Sequence, residues 1–331
     1  MQILERPALE AVFEAAPARQ AIARGLIALA AGRAISPAPI GLAFPDQNGE
    51  CHVKAGTITG FSRFVVKIAT GFYDNPRHGL SSSNGALLLF CARTGAPLAL
   101  LLDNGFITDR RTALTGAMAS KALARRDSRT IGILGTGTQA RWQLFDHARD
   151  WPEARFLIWG RTPARALELA GIAQAAGLRA EATADREDLC RRADILITTT
   201  PATAPLFEAG WIRGGAHITA VGSDSPDKQE LPVALLASAA LIVADERANA
   251  LRNGECRAAL HAGAIAPDAI VELGTILESG APERRESDIT IADLTGVAVQ
   301  DLALATFLFD RASPAGHERS GGGESPDRGQ T

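Results

Sequence analysis

Positive charge is not in excess in this 331-residue chain: Lys and Arg number 34 against 37 Asp and Glu, a formal charge of −3. No global field is available to hold nucleic acid or an anionic membrane surface. Cysteine is scarce, and Cys51, Cys91, Cys190 and Cys256 stand far apart with no C-x-x-C pair. That spacing argues against a zinc knuckle and a disulfide framework, so buried, reduced thiols are expected. His52, His78, His147, His217, His261 and His317 form no H-x-x-H or H-E-x-x-H spacing, and no metal site is expected. No G-x-S-x-G elbow and no Cys-His signature supports nucleophilic hydrolysis. The longest alanine-rich stretch, Ala18 to Ala31, is broken by Arg19, Arg24 and Gly25, short of the roughly 20 clean apolar residues a membrane span needs. Met1 to Pro7 lacks the basic-then-apolar layout of a secretory signal, so no export is expected and the cytoplasm is the expected location.

What is present is enough apolar sequence, 46% of residues against 21% charged, for one large domain or two ordinary ones. Arg19 to Gly32 reads as an amphipathic helix ending at a glycine. From Glu50 to Leu102, β-branched and apolar runs such as Phe64–Ile68 and Ala86–Phe90 predict several strands, mostly antiparallel. Turn signals at Gly95-Ala96-Pro97 and Asp103-Asn104-Gly105 favour hairpins there. A long helix is expected over Ala113–Arg125. Beyond it, strand candidates at Thr130–Leu134, Arg155–Trp159, Ala193–Thr199, His217–Val221 and Leu241–Ala244 alternate with helical stretches. That alternation predicts a parallel sheet, hence an α/β chain with a second α+β domain. The Gly-, Ser- and Pro-rich segment 313–331 has almost nothing to bury and is expected to be a disordered tail.

Ile131-Gly132-Ile133-Leu134-Gly135-Thr136-Gly137-Thr138-Gln139-Ala140 is a buried strand followed by G-x-G-x-x-A and a helix-compatible run, the dinucleotide fingerprint in its proper context. Gly135 serves the tight turn, Gly137 lets backbone approach a pyrophosphate, and small Ala140 lets the helix pack on the strand. The next strand ends in Gly160-Arg161-Thr162, where an NAD enzyme usually presents an acid to the ribose. An arginine and a hydroxyl at that edge suit a 2′-phosphate, so NADP(H) is favoured and NAD(H) remains open. The other reading of Arg161 is a solvated residue at a helix start.

Hydride transfer also needs groups that anchor a substrate and manage its proton. Lys67, inside an apolar strand, either points to solvent or faces a cavity with an anionic partner. Arg110 and Arg111 precede the long helix; being adjacent, one is expected to point to solvent, and spacing does not say which. Asp224 follows the strand His217–Val221, at the carboxyl edge where ligands of such sheets bind; it is either a proton relay or a turn former ahead of Pro226.

Together these segments resemble the ornithine cyclodeaminase/mu-crystallin family. The resemblance runs from about Val53 to about Ala305, through Lys67, Gly71-Phe72-Tyr73-Asp74-Asn75-Pro76, Thr94-Gly95-x-Pro97-Leu98-Ala99, Arg111-Thr112-Ala113, Gly135-x-Gly137-x-Gln139-Ala140, Trp159-x-Arg161-Thr162 and Val221-Gly222-x-Asp224. The ending Ile289 to Gly296 with Gln300-Asp301 is similar to the branch containing ectoine-utilisation cyclodeaminase-like proteins. The resemblance implies a homodimer with a substrate-binding and dimerisation domain over 1–115, completed by 297–312, and a Rossmann domain over 116–296. It implies that Lys67 and Arg111 hold a substrate carboxylate and that Asp224 handles a proton. It assigns nucleotide contacts to Thr112, Gly135, Gly137, Thr138, Gln139, Arg161, Thr162, Thr200, Val221 and Lys228. Asn84, Ser82 and Tyr73 are the candidates for the side-chain pocket. Relatives commonly carry an arginine where this chain has Gly41, which thins the carboxylate clamp and opens room for a bulkier or differently charged substrate. The favoured activity is NAD(P)H-dependent reduction of an imino acid to an amino acid. The alternatives are an ornithine-type cyclodeaminase with recycled NAD and a non-catalytic, NADPH-linked binding protein.

Overall fold

Alternating burial along Gly49–Leu102 builds a meander with one face on a core. The computed structural model describes residues 1–313. Its first layer comprises β1 (Gln2–Glu5), α1 (Arg6–Ala11), α2 (Ala15–Ala30), β2 (Ala34–Ile35), β3 (Ile40–Phe44), β4 (Gly49–Ile58), β5 (Arg63–Phe72), β6 (Ser83–Cys91) and β7 (Pro97–Leu102). The strands lie in the order β1-β7-β6-β5-β4-β2, with β3 also paired to β4; all pairs are antiparallel except β1 with β7. On the inner face Val65, Leu87, Leu89, Ala99 and Leu101 are buried against α2 and the C-terminal helix.

α3 (Phe106–Leu123) leads into the second layer: β8 (Thr130–Leu134), α4 (Thr138–Asp150), β9 (Arg155–Trp159), α5 (Pro163–Ala175), β10 (Arg179–Ala182), α6 (Arg186–Arg192), β11 (Ile195–Thr198), β12 (His217–Ala220), α7 (Val233–Ser238), β13 (Leu241–Ala244), α8 (Arg247–Ala250), α9 (Gly254–His261), β14 (Ile270–Glu272), α10 (Leu273–Ser279) and β15 (Thr290–Asp293). These eight strands form one wholly parallel sheet, order β10-β9-β8-β11-β12-β15-β13-β14. Strand order reverses between β8 and β11, and there the glycine turn emerges, at the topological switch point where such sheets bind ligands. α11 (Ala298–Ala312) then returns to pack on α2, β4 and β5.

Several expectations change. The Asp103-Asn104-Gly105 turn opens a helix rather than a hairpin: Asp103 Oδ2 accepts the Ile107 N–H at 2.7 Å, and Gly105 has φ 81°. α3 therefore starts at Phe106, includes Thr108–Thr112 and ends at Leu123, before Arg125. Both Arg110 and Arg111 are buried, so neither points to solvent. Arg110 pairs with Asp146 at 3.1 Å and stacks over Trp142, while Arg111 turns the other way. The parallel sheet holds three strands the pattern did not give, β10, β14 and β15, the last a fully buried strand inserted between β12 and β13. Cys51, Cys190 and Cys256 are buried and Cys91 half-buried, all four free. Ser313, expected in the tail, is buried with its hydroxyl on Gln2; the rest of that segment lies outside the described residues. Among the described residues no helix is long and apolar enough to cross a membrane, and no three metal-ligating side chains converge.

Candidate active site

Pairing register decides which side chains of the first sheet meet the second. Lys67 on β5 stands directly across from Lys54 on β4, and β4's alternation puts Glu50 and His52 on that same inward face. Lys67 is 2% exposed; its Nζ donates to Asp301 Oδ1 at 3.0 Å and to Thr108 Oγ1 at 3.1 Å. Arg111, one turn along α3 from Thr108, donates from Nε to the same Asp301 oxygen at 3.2 Å and from Nη1 to Gln300 Oε1 at 3.0 Å. Asp301, in the first turn of α11, thus braces both cations. Burial pushes its carboxyl up, but Lys67 and Arg111 outweigh that and hold it below the usual range. Burial lowers the Lys67 ammonium to about 8, against the attraction of Asp301.

Over this floor lies a cavity of about 330 Å³, whose wall includes Gly41, His52, Lys54, Lys67, Arg111 and Asp224. Asp224 enters it from the loop after β12, so both sheets contribute. Its carboxylate is half exposed and accepts from Lys228 Nζ at 2.7 Å. Lys228 in turn faces Glu50, whose carboxyl is drawn down to about 2 by its bond with His52 and by Tyr73. Tyr73 reaches this rim through its hydroxyl on Glu50. Asn84 does not reach the cavity: it pairs with Thr70, and alternation puts both on the face opposite Lys67, where Asn84 is exposed. Ser82 is half-buried beside the end of β5, its carbonyl accepting from Phe72 N–H, and is not among the cavity's lining.

The nucleotide candidates cluster at the carboxyl ends of β8, β9, β11 and β12. Gly135 has φ 130°, and a Cβ there would meet Thr199 Oγ1 at 2.2 Å, so only glycine permits this approach of the turn to β11. α4 begins after Gly137 with no side-chain cap, and the space over Gly137 is open, with Thr138 exposed beside it. Uncapped N–H groups on an open helix start fit a pyrophosphate. Gln139 bonds back to Asp109, and Thr112 donates its hydroxyl to the Thr108 carbonyl. Arg161 and Thr162 are exposed at the end of β9, just before α5. Val221 is buried, its N–H on the Thr198 carbonyl.

Sequence reasoning missed Glu230 altogether. Fully buried, its carboxylate accepts from Thr198 Oγ1 (2.7 Å), Thr200 N (2.6 Å), Thr200 Oγ1 (2.8 Å) and Gly222 N (2.9 Å). It ties the loops after β11 and β12 together, and a Cβ at Gly222 would collide with the Thr200 backbone at 2.2 Å. Asp301, Lys54 and Asp245 were also missed as site residues. An acid on the apolar face of α11 and the period-2 run Glu50, His52, Lys54 were the signals available for the first two.

The model of the ornithine cyclodeaminase/mu-crystallin family matches residues 5–316. The chain belongs to that family. It is 44% identical over 299 residues to an uncharacterised cyclodeaminase of Sinorhizobium fredii, covering 89% of each chain. It is 34% identical to an iminosuccinate reductase of Paracoccus denitrificans, over 77% of this chain and 79% of that one. Among solved structures, an archaeal alanine dehydrogenase dimer with bound NAD superposes with a TM-score of 0.87 at 29% identity, over 94% and 96% of the two chains. A Δ1-pyrroline-2-carboxylate reductase of Thermococcus litoralis, in complex with NADH and L-proline, gives 0.87 at 28% identity, over 94% and 97%. Family members of known structure thus share this pairing of an antiparallel sheet with a Rossmann-type parallel one.

Proposed function

We propose that this family member is an NAD(P)H-dependent imine reductase that converts an imino acid to an α-amino acid. The observation that carries the reading is the Asp301-braced pair, Lys67 and Arg111, facing Asp224 across one cavity built by both sheets. Arg111 and Lys67 grip the carboxylate, the planar guanidinium fixing orientation and the ammonium adding charge. Asp224 supports the proton on the imine nitrogen; its exposure and its Lys228 partner let that proton exchange with water. Gly135, Gly137, Thr138 and the loops tied by Glu230 hold the dinucleotide. Bound there, its nicotinamide supplies the hydride. Arg161 and Thr162, exposed where no acid stands, favour NADPH over NADH.

The same reading makes the protein a homodimer. Ile3, Ile40, Leu42, Phe44, Ile68 and Leu102 are all at least 37% exposed, and the register puts them on the outer face of the first sheet. A second copy would cover that face. The domain division at residue 115, with α11 returning to the first lobe, and a cytoplasmic location, where reduced coenzyme is held, complete the proposal.

The deciding assay mixes 2-oxo acids with ammonia or methylamine, adds cyclic imino acids as a second set, and follows NADPH and NADH oxidation. Coenzyme oxidation with any of these supports the reductase. Ammonia release from L-ornithine without net coenzyme consumption would replace it by the cyclodeaminase reading, which the Sinorhizobium relative's name keeps in view. Coenzyme binding with neither reaction would leave the binding-protein reading.

A further inference from the structure

A lysine placed directly across a strand pair from another lysine is a destabilising arrangement. Lys54 and Lys67 are such a pair, and Arg111 lies close enough to add to the repulsion. One carboxylate, Asp301, answers this cluster, and it is already shared between Lys67 and Arg111. Lys54 Nζ donates to the Gly296 carbonyl at 2.9 Å, and among the described residues no carboxylate oxygen comes within 4.0 Å of its ammonium. Of the other acids nearby, Asp224 is occupied by Lys228, Glu50 by His52 and Tyr73, and Asp245 by the Gly296 N–H and the Thr295 hydroxyl, while Glu246, on the small recess beside Lys54, is pushed up to about 7 by burial and by the neighbouring Asp245 and Glu272 carboxylates. Arg252, exposed on the same wall, adds a further positive charge.

A monocarboxylate on Lys67 and Arg111 would leave Lys54 with no carboxylate in ion-pair contact, only the longer-range pull of Asp301, Asp224 and Asp245. We propose, on the reductase reading above, that the substrate is a dicarboxylic imino acid and that Lys54 binds its second, side-chain carboxylate. Gly41, with no side chain, leaves open the wall across β3 from His52 where that group would lie. The assignment disfavours diamino acids, whose distal ammonium would meet Lys54 and Arg252. It also makes small or cyclic monocarboxylic imines poorer substrates than those of short acidic chains, such as the imines of oxaloacetate and 2-oxoglutarate.

The test is calorimetric titration of the full-length protein saturated with oxidised coenzyme, with L-aspartate, L-glutamate, L-alanine, L-proline and L-ornithine. One of the two acidic amino acids should bind at least tenfold tighter than alanine, proline and ornithine. Lys54→Met should lower that preference at least tenfold, and Lys54→Arg should restore most of it. If Lys54 merely secures the Gly296 turn, all ligands weaken together in Lys54→Met and the preference stays, which overturns the assignment. Equal or tighter binding of alanine, proline or ornithine by the unaltered protein also overturns it, whether or not either variant folds. The reductase reading is judged separately, by coenzyme oxidation. A chain that reduces pyrroline-2-carboxylate better than any dicarboxylic imine keeps that reading and loses this proposal, and one that binds aspartate selectively yet reduces no imine loses that reading and keeps only Lys54 as the site of the second carboxylate.

Discussion

The Lys67 ammonium lies 3.0 Å from the Asp301 carboxylate, with the two side chains 3% and 0% exposed, and this ion pair joins the first sheet to the last helix of the chain. Breaking one partner of a buried pair leaves an uncompensated charge and typically costs about 3 to 5 kcal/mol. Asp301→Asn should therefore lower stability by about that much in urea unfolding. On the proposed reading it should also lower kcat/KM by roughly 10²-fold, because Lys67 and Arg111, which would grip the substrate carboxylate, lose the group that aims them. Wild-type values for both would show that the brace is dispensable.

On the proposed reading, Lys67 should give the reaction an alkaline limb. Burial holds its ammonium down to about 8, with Arg111 and Lys54 adding to the shift and Asp301 opposing it. The cationic form that grips a carboxylate is present below that pH and lost above it, so kcat/KM should be level from neutrality to about 8 and then fall. Lys67→Arg keeps its charge throughout and should abolish that limb while lowering the plateau. An unchanged limb in this variant would assign it to another group.

Four donors converge on Glu230, from Thr198, Thr200 and the Gly222 backbone. On the proposed reading this acid, by tying those loops together, is a positioning residue for the coenzyme and not a group that touches substrate. Glu230→Gln replaces one acceptor oxygen by a donor and should weaken NADPH binding about tenfold by fluorescence titration, each buried donor left unpaired costing roughly 1 to 3 kcal/mol before the loop relaxes. Full coenzyme affinity in the variant would rule that role out.

On the proposed reading, coenzyme choice rests on Arg161. An arginine-phosphate contact at a partly solvated edge is worth about 1.5 to 3 kcal/mol, so Arg161→Ala should cut the NADPH-to-NADH ratio of kcat/KM by at least tenfold. The loss should fall on KM for NADPH, with NADH little changed. A ratio that stays put would leave Arg161 as a solvated residue at the start of α5.

What the sequence made legible was local. The glycine turn after β8 needs only ten consecutive residues, Ile131 to Ala140, to announce a strand, a phosphate-sized opening and a close-packed helix. Lys67 stood out because lysine is costly in an apolar strand. By spacing alone Arg111 could not be told from Arg110, and only the family resemblance singled it out, since a helix can bury both neighbours when different elements receive them, Asp146 for one and Asp301 for the other. Asp301 lies 234 residues beyond Lys67, and Lys54 acquires meaning only from the β4–β5 register. Asn84 failed for the same reason in reverse, because one step of strand alternation puts it on the far face. Strand β15, Thr290–Asp293, is no shorter than β11, β12 and β13, but only Ile291 and Ala292 in it are apolar, so it does not stand out as an apolar run although it sits well inside the sheet.

The outer face of the first sheet supplies the last prediction. Ile68, at its middle, is 42% exposed, with Ile40 at 64% on β3, across β4 on the same face. Leaving such side chains in water forgoes about 1.5 to 3 kcal/mol each. A charge at the centre of a two-fold interface is met by its own copy, so Ile68→Asp sets like charges together in an apolar surround. The variant should sediment at half the mass of the unaltered protein at micromolar concentration while keeping its secondary structure by circular dichroism. The inward face that carries Lys67 is the other side of this sheet, so coenzyme binding at the glycine turn should persist in the monomer. An unaltered protein that already sediments as a monomer would remove the sheet face from the assembly.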